Sequence, residues 1–113
     1  MENYCVYILA NKQNTVLFTG VTNNFLRRII EHKTKTVKGF TEKYNLNKLV
    51  WFEQTKDIKL EIHREKQIKK WRRNWKNELV EEKNPLWKDL FYEIGGTNEM
   101  LNPGFLNTDY EDH

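Results

Sequence analysis

Three side chains, Arg28, His32 and Glu65, together with the strand tyrosines, carry chemistry that becomes specific only in combination. A carboxylate can hold a divalent metal against a phosphate. A guanidinium can offset the charge that develops on that phosphate. A phenol or an imidazole can help activate water. Together these groups suit phosphodiester cleavage. Each also has a plainer reading. Glu65 could be one half of a structural ion pair with an inward arginine, and His32 a boundary histidine bonded to backbone.

Spacing narrows the choice. On a helix of about 100° per residue with Ile58 at zero, Ile62 falls at about 40° and Ile68 at about 280°. Glu65 falls at about 340°, inside that arc, while Arg64 and Lys66 point elsewhere. The reading is a carboxylate within an apolar stripe, which is costly unless paired or bound to a cation. In FLRRIIEHK, residues 25–33, Phe25, Arg28 and His32 line one edge of the face made by Phe25, Leu26, Ile29 and Ile30. Arg27 is predicted to point to solvent.

The elements that must position these residues follow from pattern. YCVYILA (4–10), VLFTGVT (16–22) and KLVWFE (48–53) read as strands, the first two a hairpin across NKQNT. Thr22 or Asn23 is expected to cap a helix running to about Lys33. Residues 34–47, rich in lysine and containing Gly39, read as a mobile loop. Asp57 is expected to cap a helix to about Trp71. Residues 74–83 read as a third helix, and Asn84-Pro85 as the start of a short one through Phe91. The expected class is α/β (α+β), a small sheet with helices covering at least one face.

At 113 residues the chain makes one domain. Residues 1–94 form the expected body, with 19 basic against 12 acidic residues, a net of +7. Residues 95–113 contain Glu99, Asp109, Glu111 and Asp112 without a single Lys or Arg. They are expected to form a flexible or loosely docked acidic tail. A basic body suggests nucleic acid as partner. Two stretches could face it. Lys35, Lys38 and Lys43 are interleaved with Phe40 and Tyr44 in the loop. Lys69, Lys70, Arg72 and Arg73 lie in KKWRRNWK (69–76). The plainer readings are a solvated loop and tryptophans packing the C-terminal helices. No apolar stretch is long enough to span a bilayer. The N-terminus lacks the pattern of a signal peptide, and a single cysteine, Cys5, suits a reducing, cytoplasmic setting. Phosphate-loop, HExxH and EF-hand patterns are absent.

In order along the chain, these residues resemble the GIY-YIG nuclease superfamily, above all its small stand-alone bacterial members. These are similar to the N-terminal nuclease of the excinuclease C subunit. Cys5-Val6-Tyr7 resembles the first half-motif and Phe18-Thr19-Gly20 the second. Thr22-Asn23, Arg28 and His32 resemble the helix, and Glu65 in REKQIKKW the metal-ligand position. NPLWKDLF (84–91) resembles the closing segment, with Asn84 at the place of a late asparagine. The resemblance implies a three-stranded antiparallel sheet flanked by helices, and one Mg²⁺ or Mn²⁺ held mainly by Glu65. It implies DNA as substrate, with no small-molecule cofactor and no membrane, and a motif tyrosine that helps activate water. Phe18 departs from it: a phenyl ring keeps the packing but has no hydroxyl to exchange a proton. Tyr7 is the remaining motif phenol. The rival readings are a nucleic-acid-binding module without turnover and a domain held together by a buried Glu65–Arg28 ion pair.

Overall fold

The computed structural model describes residues 3–106. Its centre is β1 (Tyr4–Ala10), flanked by β2 (Leu17–Thr22) and β3 (Lys48–Thr55) in the order β2-β1-β3, both pairings antiparallel. β1 is buried from Cys5 to Ala10 because helices cover both faces of the sheet. A strand in that position reads as an unbroken apolar run rather than an alternating one.

Alternation along β1 still sorts the core into two halves. Val6, Ile8 and Ala10 pack with Val50, Trp51, Ile68 and Val80, beneath α3 (Ile58–Lys70) and α4 (Arg73–Lys83). Tyr7 and Leu9 face the other way, onto Ile29 and Ile30 of α1 (Phe25–Lys33), with Leu46, Leu49 and Phe91. The β1–β3 register slips between Ile8, opposite Trp51, and Leu9, opposite Leu49. Val50 is the extra residue of this bulge, which lets Val50 and Trp51 both join the first half.

The expected strands and the three long helices form. Asp57 caps α3 by accepting from the N–H groups of Lys59 and Leu60. The start of α1 differs: Asn24 occupies the cap without a side-chain bond, while Thr22 accepts from the Asn24 N–H and shapes the entry instead.

Two segments depart from expectation. Residues 34–47 are not a featureless loop, because α2 (Phe40–Lys43) folds within them and Thr41 and Leu46 are buried. The short helix expected from Asn84 to Phe91 is absent. Trp87 has φ +56°, outside the right-handed helical region. A side-chain network holds this segment. Asn84 donates through Nδ2 to the Val50 and Lys88 carbonyls and accepts from the Lys88 N–H. Asp89 accepts from the Leu49 and Phe91 N–H groups and pairs with Lys33, tying the segment to β3 and α1. Phe91 is fully buried, a contribution of about 1.5–3 kcal/mol.

Within 95–113, residues up to 106 are described. A 3-10 turn, Glu99–Leu101, contacts α1, and Met100, Leu101, Phe105 and Leu106 pack against the Tyr7 half of the core. Asp109, Glu111 and Asp112 lie outside the described residues. Among the described residues no helix is long and apolar enough to cross a membrane.

Candidate active site

Tyr7 lies opposite Gly20 across the β1–β2 pair. That glycine is a steric requirement: a Cβ on it would sit 2.6 Å from the Cζ and hydroxyl oxygen of Tyr7. The bare backbone of β2 therefore lets the phenol lie flat along the strand and reach α1.

There the hydroxyl of Tyr7 meets Nε2 of His32 at 2.9 Å, and Nδ1 of His32 meets Oγ1 of Thr41 at 3.1 Å. All three residues are buried. If the imidazole N–H is on Nδ1 and donated to Thr41, Nε2 accepts the phenol proton. Burial, helped by the Arg28 charge, pulls His32 down to about 4, so the ring is neutral at pH 7. Burial pushes the Tyr7 phenol up, and Arg28 opposes that by favouring the phenolate. Gly39, with φ +111°, starts α2 and turns the chain so that Thr41 reaches back to His32.

Phe18 completes the wall. Its ring centroid lies 6.3 Å from that of Tyr7 and 5.8 Å from that of His32. Phe25 stands 6.1 Å from Tyr7 on the other side and continues to Phe52 at 5.2 Å. Thr19, next along β2, is buried. Cys5 is buried too, its thiol pushed up to about 12 by burial, so at neutral pH it is an inert apolar group and no nucleophile.

The structure brings Tyr7, His32 and Arg28 into one electrostatic environment, and the Glu65 charge also bears on Tyr7. It corrects the orientation of both helices. On α3 the inward residues are Glu61 and Ile68, whereas Ile58 and Ile62 are exposed. The helix is rolled towards the side of Glu61, which leaves Glu65 part-buried at the margin. Its side chain is 15% exposed and pairs with Lys69 at 2.8 Å. The fully buried carboxylate is Glu61, which accepts from the Val6 N–H of β1 at 2.9 Å. On α1, Arg28 is the more exposed arginine and Arg27 the less, and Glu31 pairs with both, at 3.7 and 3.5 Å. The alternative of a buried Glu65–Arg28 ion pair fails, since each has a different partner.

Three participants escaped the sequence reading. Glu61 falls at about 300° on the same wheel, between Ile68 and Glu65, so its signal was present. Glu31 stands three and four residues after the two arginines, the spacing of helical ion pairs. Thr41 carries no such signal, because its place in the short helix α2 is set only by the fold.

The remaining expected residues divide. Asn84 is buried with both ends of its amide bonded to backbone, which makes it a structural bracket for the closing segment. Lys35, Lys38 and Lys43 are exposed around α2. Lys70 and Arg72 are exposed at the α3–α4 junction, with Trp75 half-exposed beside them. Arg73 instead holds the β1–β2 turn, donating to the Thr15 and Asn14 carbonyls and to Asn77. Trp71 and Trp87 pack against the first core half, with Arg64 stacked between Trp51 and Trp71.

As a metal ligand Glu65 would belong to no larger cluster. Among the described residues no group of three or more His, Cys, Asp or Glu side chains could hold an ion. A single carboxylate fits Mg²⁺ or Mn²⁺ completed by water and phosphate oxygens, since Mg²⁺ keeps most of its waters.

Comparison with known proteins bears on the family and the fold. Residues 3–78 match the family model described as the GIY-YIG catalytic domain. A UPF0213 protein of Clostridium perfringens is 39% identical over 82 residues, covering 73% of this chain and 86% of that protein. The solution NMR structure of a UPF0213 protein from Bacillus halodurans is similar at a TM-score of 0.52 and 25% identity. It covers 84% of this chain and 99% of the other.

Proposed function

Because this chain belongs to the GIY-YIG catalytic domain family, a nuclease superfamily, we propose that it is a metal-dependent endonuclease that hydrolyses DNA phosphodiester bonds. The observation that carries the proposal is the 2.9 Å contact between Tyr7 and a neutral His32, beside the Arg28 guanidinium. In this reading the Tyr7 oxygen takes a proton from the attacking water while its own proton passes to Nε2 of His32. His32 keeps its Nδ1–H on Thr41. Arg28 offsets the charge growing on the phosphate. Glu65 would hold the divalent ion, which supplies Lewis-acid activation of the phosphate when bound. Selectivity for DNA structure in repair or recombination, in a cytoplasmic setting, is the finer part of the proposal. The selectivity rests on the resemblance of the sequence motifs to the excinuclease C N-terminal nuclease, and the setting on the single cysteine.

One observation favours a second reading, a DNA-binding module without turnover. The ring at the second motif position is Phe18, and the remaining motif phenol, Tyr7, is only 2% exposed. A cleavage assay separates the two. Supercoiled plasmid and branched or single-stranded oligonucleotides would be incubated with Mg²⁺ or Mn²⁺ and wild type, Glu65→Gln or Phe18→Tyr. The endonuclease cuts as wild type and loses cutting in Glu65→Gln. Retained stability is expected in that variant, because a marginal ion pair contributes only about 0.5 kcal/mol. The binding module cuts only as Phe18→Tyr, or never.

A further inference from the structure

Beside the candidate active site, α2 leaves two aromatic rings in solvent. Phe40 is 49% and Tyr44 40% exposed, one helical turn apart, with centroids 4.8 Å from each other. Neither position is forced by the core, since the α2 residue that turns inward is Thr41. The pair continues the aromatic wall outward: His32 to Phe18 at 5.8 Å, Phe18 to Phe40 at 6.4 Å, then Tyr44. Lys35, Lys38 and Lys43 are exposed on the same segment; the Lys43 ammonium lies 5.4 Å from the Tyr44 centroid, and the Lys38 ammonium pairs with Glu42 at 2.8 Å.

Exposed rings on a lysine-rich segment match one ligand chemistry in particular. A single-stranded nucleic acid offers unpaired base faces to the rings and phosphates to the lysines. A paired duplex offers phosphates alone, because its base faces are already stacked. We infer that Phe40 and Tyr44 form a stacking platform for unpaired bases of a DNA strand that leads into the Tyr7–His32 site. The chain is thereby directed to single-stranded segments, such as flaps, gaps and branch points. This inference rests on the nucleic-acid reading of the site but not on turnover.

The test measures binding with cleavage silenced. The full chain, in EDTA, would be titrated into a fluorescently labelled oligothymidine strand or a duplex of equal length, with anisotropy as the readout. Wild type is expected to bind the single strand at least about tenfold more tightly. Phe40→Leu and Tyr44→Leu, which keep apolar bulk but remove the ring, are each expected to weaken single-strand binding by about three- to tenfold and leave duplex binding unchanged. Tyr44→Trp is expected to restore it. Lys35→Ala is expected to weaken both substrates alike and flatten the salt dependence. Equal affinity for the two substrates, or equal loss on both from the leucine variants, overturns the platform while leaving a nuclease intact. Binding to neither substrate overturns the platform and the nucleic-acid reading together. Cleavage in Mn²⁺, scored separately, reports on the endonuclease proposal alone.

Discussion

The Tyr7 hydroxyl and His32 Nε2, 2.9 Å apart, join the central strand to the first helix through a bond between two buried side chains. One contact thus links the fold and the proposed chemistry, and a single substitution reads both. Tyr7→Phe removes the hydroxyl and leaves the imidazole nitrogen without its partner. Stability is expected to fall by about 1 kcal/mol in urea denaturation. Cleavage rate is expected to fall at least about a hundredfold, the scale of general acid–base catalysis. Lost stability with unchanged cleavage would make the hydroxyl a structural group only.

Gly20 is expected to tolerate no side chain. A methyl group there meets the Tyr7 ring at 2.6 Å, with the Phe18 ring at 2.9 Å behind it. Gly20→Ala should cost about 1–3 kcal/mol, the range of core overpacking, and lower the Tm accordingly. The cost should shrink in a Tyr7→Leu background. A double-mutant cycle with no coupling would show that the phenol is not what the glycine accommodates.

Glu61 gives a prediction of opposite sign to the usual cost of neutralising an acid. Burial raises its pKa, and the nearby Glu53 charge raises it further. Its one bond comes from the Val6 N–H, which a neutral amide oxygen accepts equally well. Glu61→Gln should leave stability at pH 7 unchanged or slightly higher. Glu61→Leu orphans the N–H and should cost about 1–3 kcal/mol in the same urea experiment. A destabilising Glu61→Gln would mean that the charge itself is required.

His32 sets a pH dependence. An unfolded chain protonates histidine near 6.5, the fold only near 4. Between those values the unfolded state binds the extra proton, so stability falls as pH falls through that window. From about pH 7.5 to pH 5 the loss attributable to His32 is about 2 kcal/mol. Glu61 acts in the opposite direction, its contribution present at low pH and lost as pH rises through its raised value. The informative comparison is therefore wild type against His32→Phe, whose stability should vary less across the window. Parallel pH profiles would place a proton on His32 in the fold.

The sheet and the long helices were legible because their signals are local. The apolar run of β1, the Asp57 cap and the alternating faces need no distant contact to be read. The roll of α3 was not legible. Ile58, Leu60 and Ile62 spread too widely around the helix to define a buried face, and four of its first five residues, these three and Lys59, end in solvent. The inward position went to Glu61 because a strand N–H awaited it, and Val6 lies far away in sequence. The segment 84–91 failed for a related reason. Asn-Pro resembles a helix start, yet Asn84 finds better partners in the Val50 and Lys88 carbonyls. At the candidate site, Tyr7, Arg28, His32 and Glu65 were nameable from the sequence and the Tyr7–His32 contact is observed, while Thr41 depended wholly on how α2 folds back.

Phe91 and Asp89 carry a consequence for how the molecule is made. The family match ends at residue 78, yet Phe91 seals the core half that contains Tyr7, and Asp89 ties the start of β3 to α1. A chain emerging from the ribosome can assemble the β1–β2 hairpin early. It cannot close the Tyr7 side until residues 89–91 have cleared the exit tunnel. Contacts so distant in sequence slow folding, so the nascent protein holds its proposed chemistry in abeyance until residues 89–91 are free to dock.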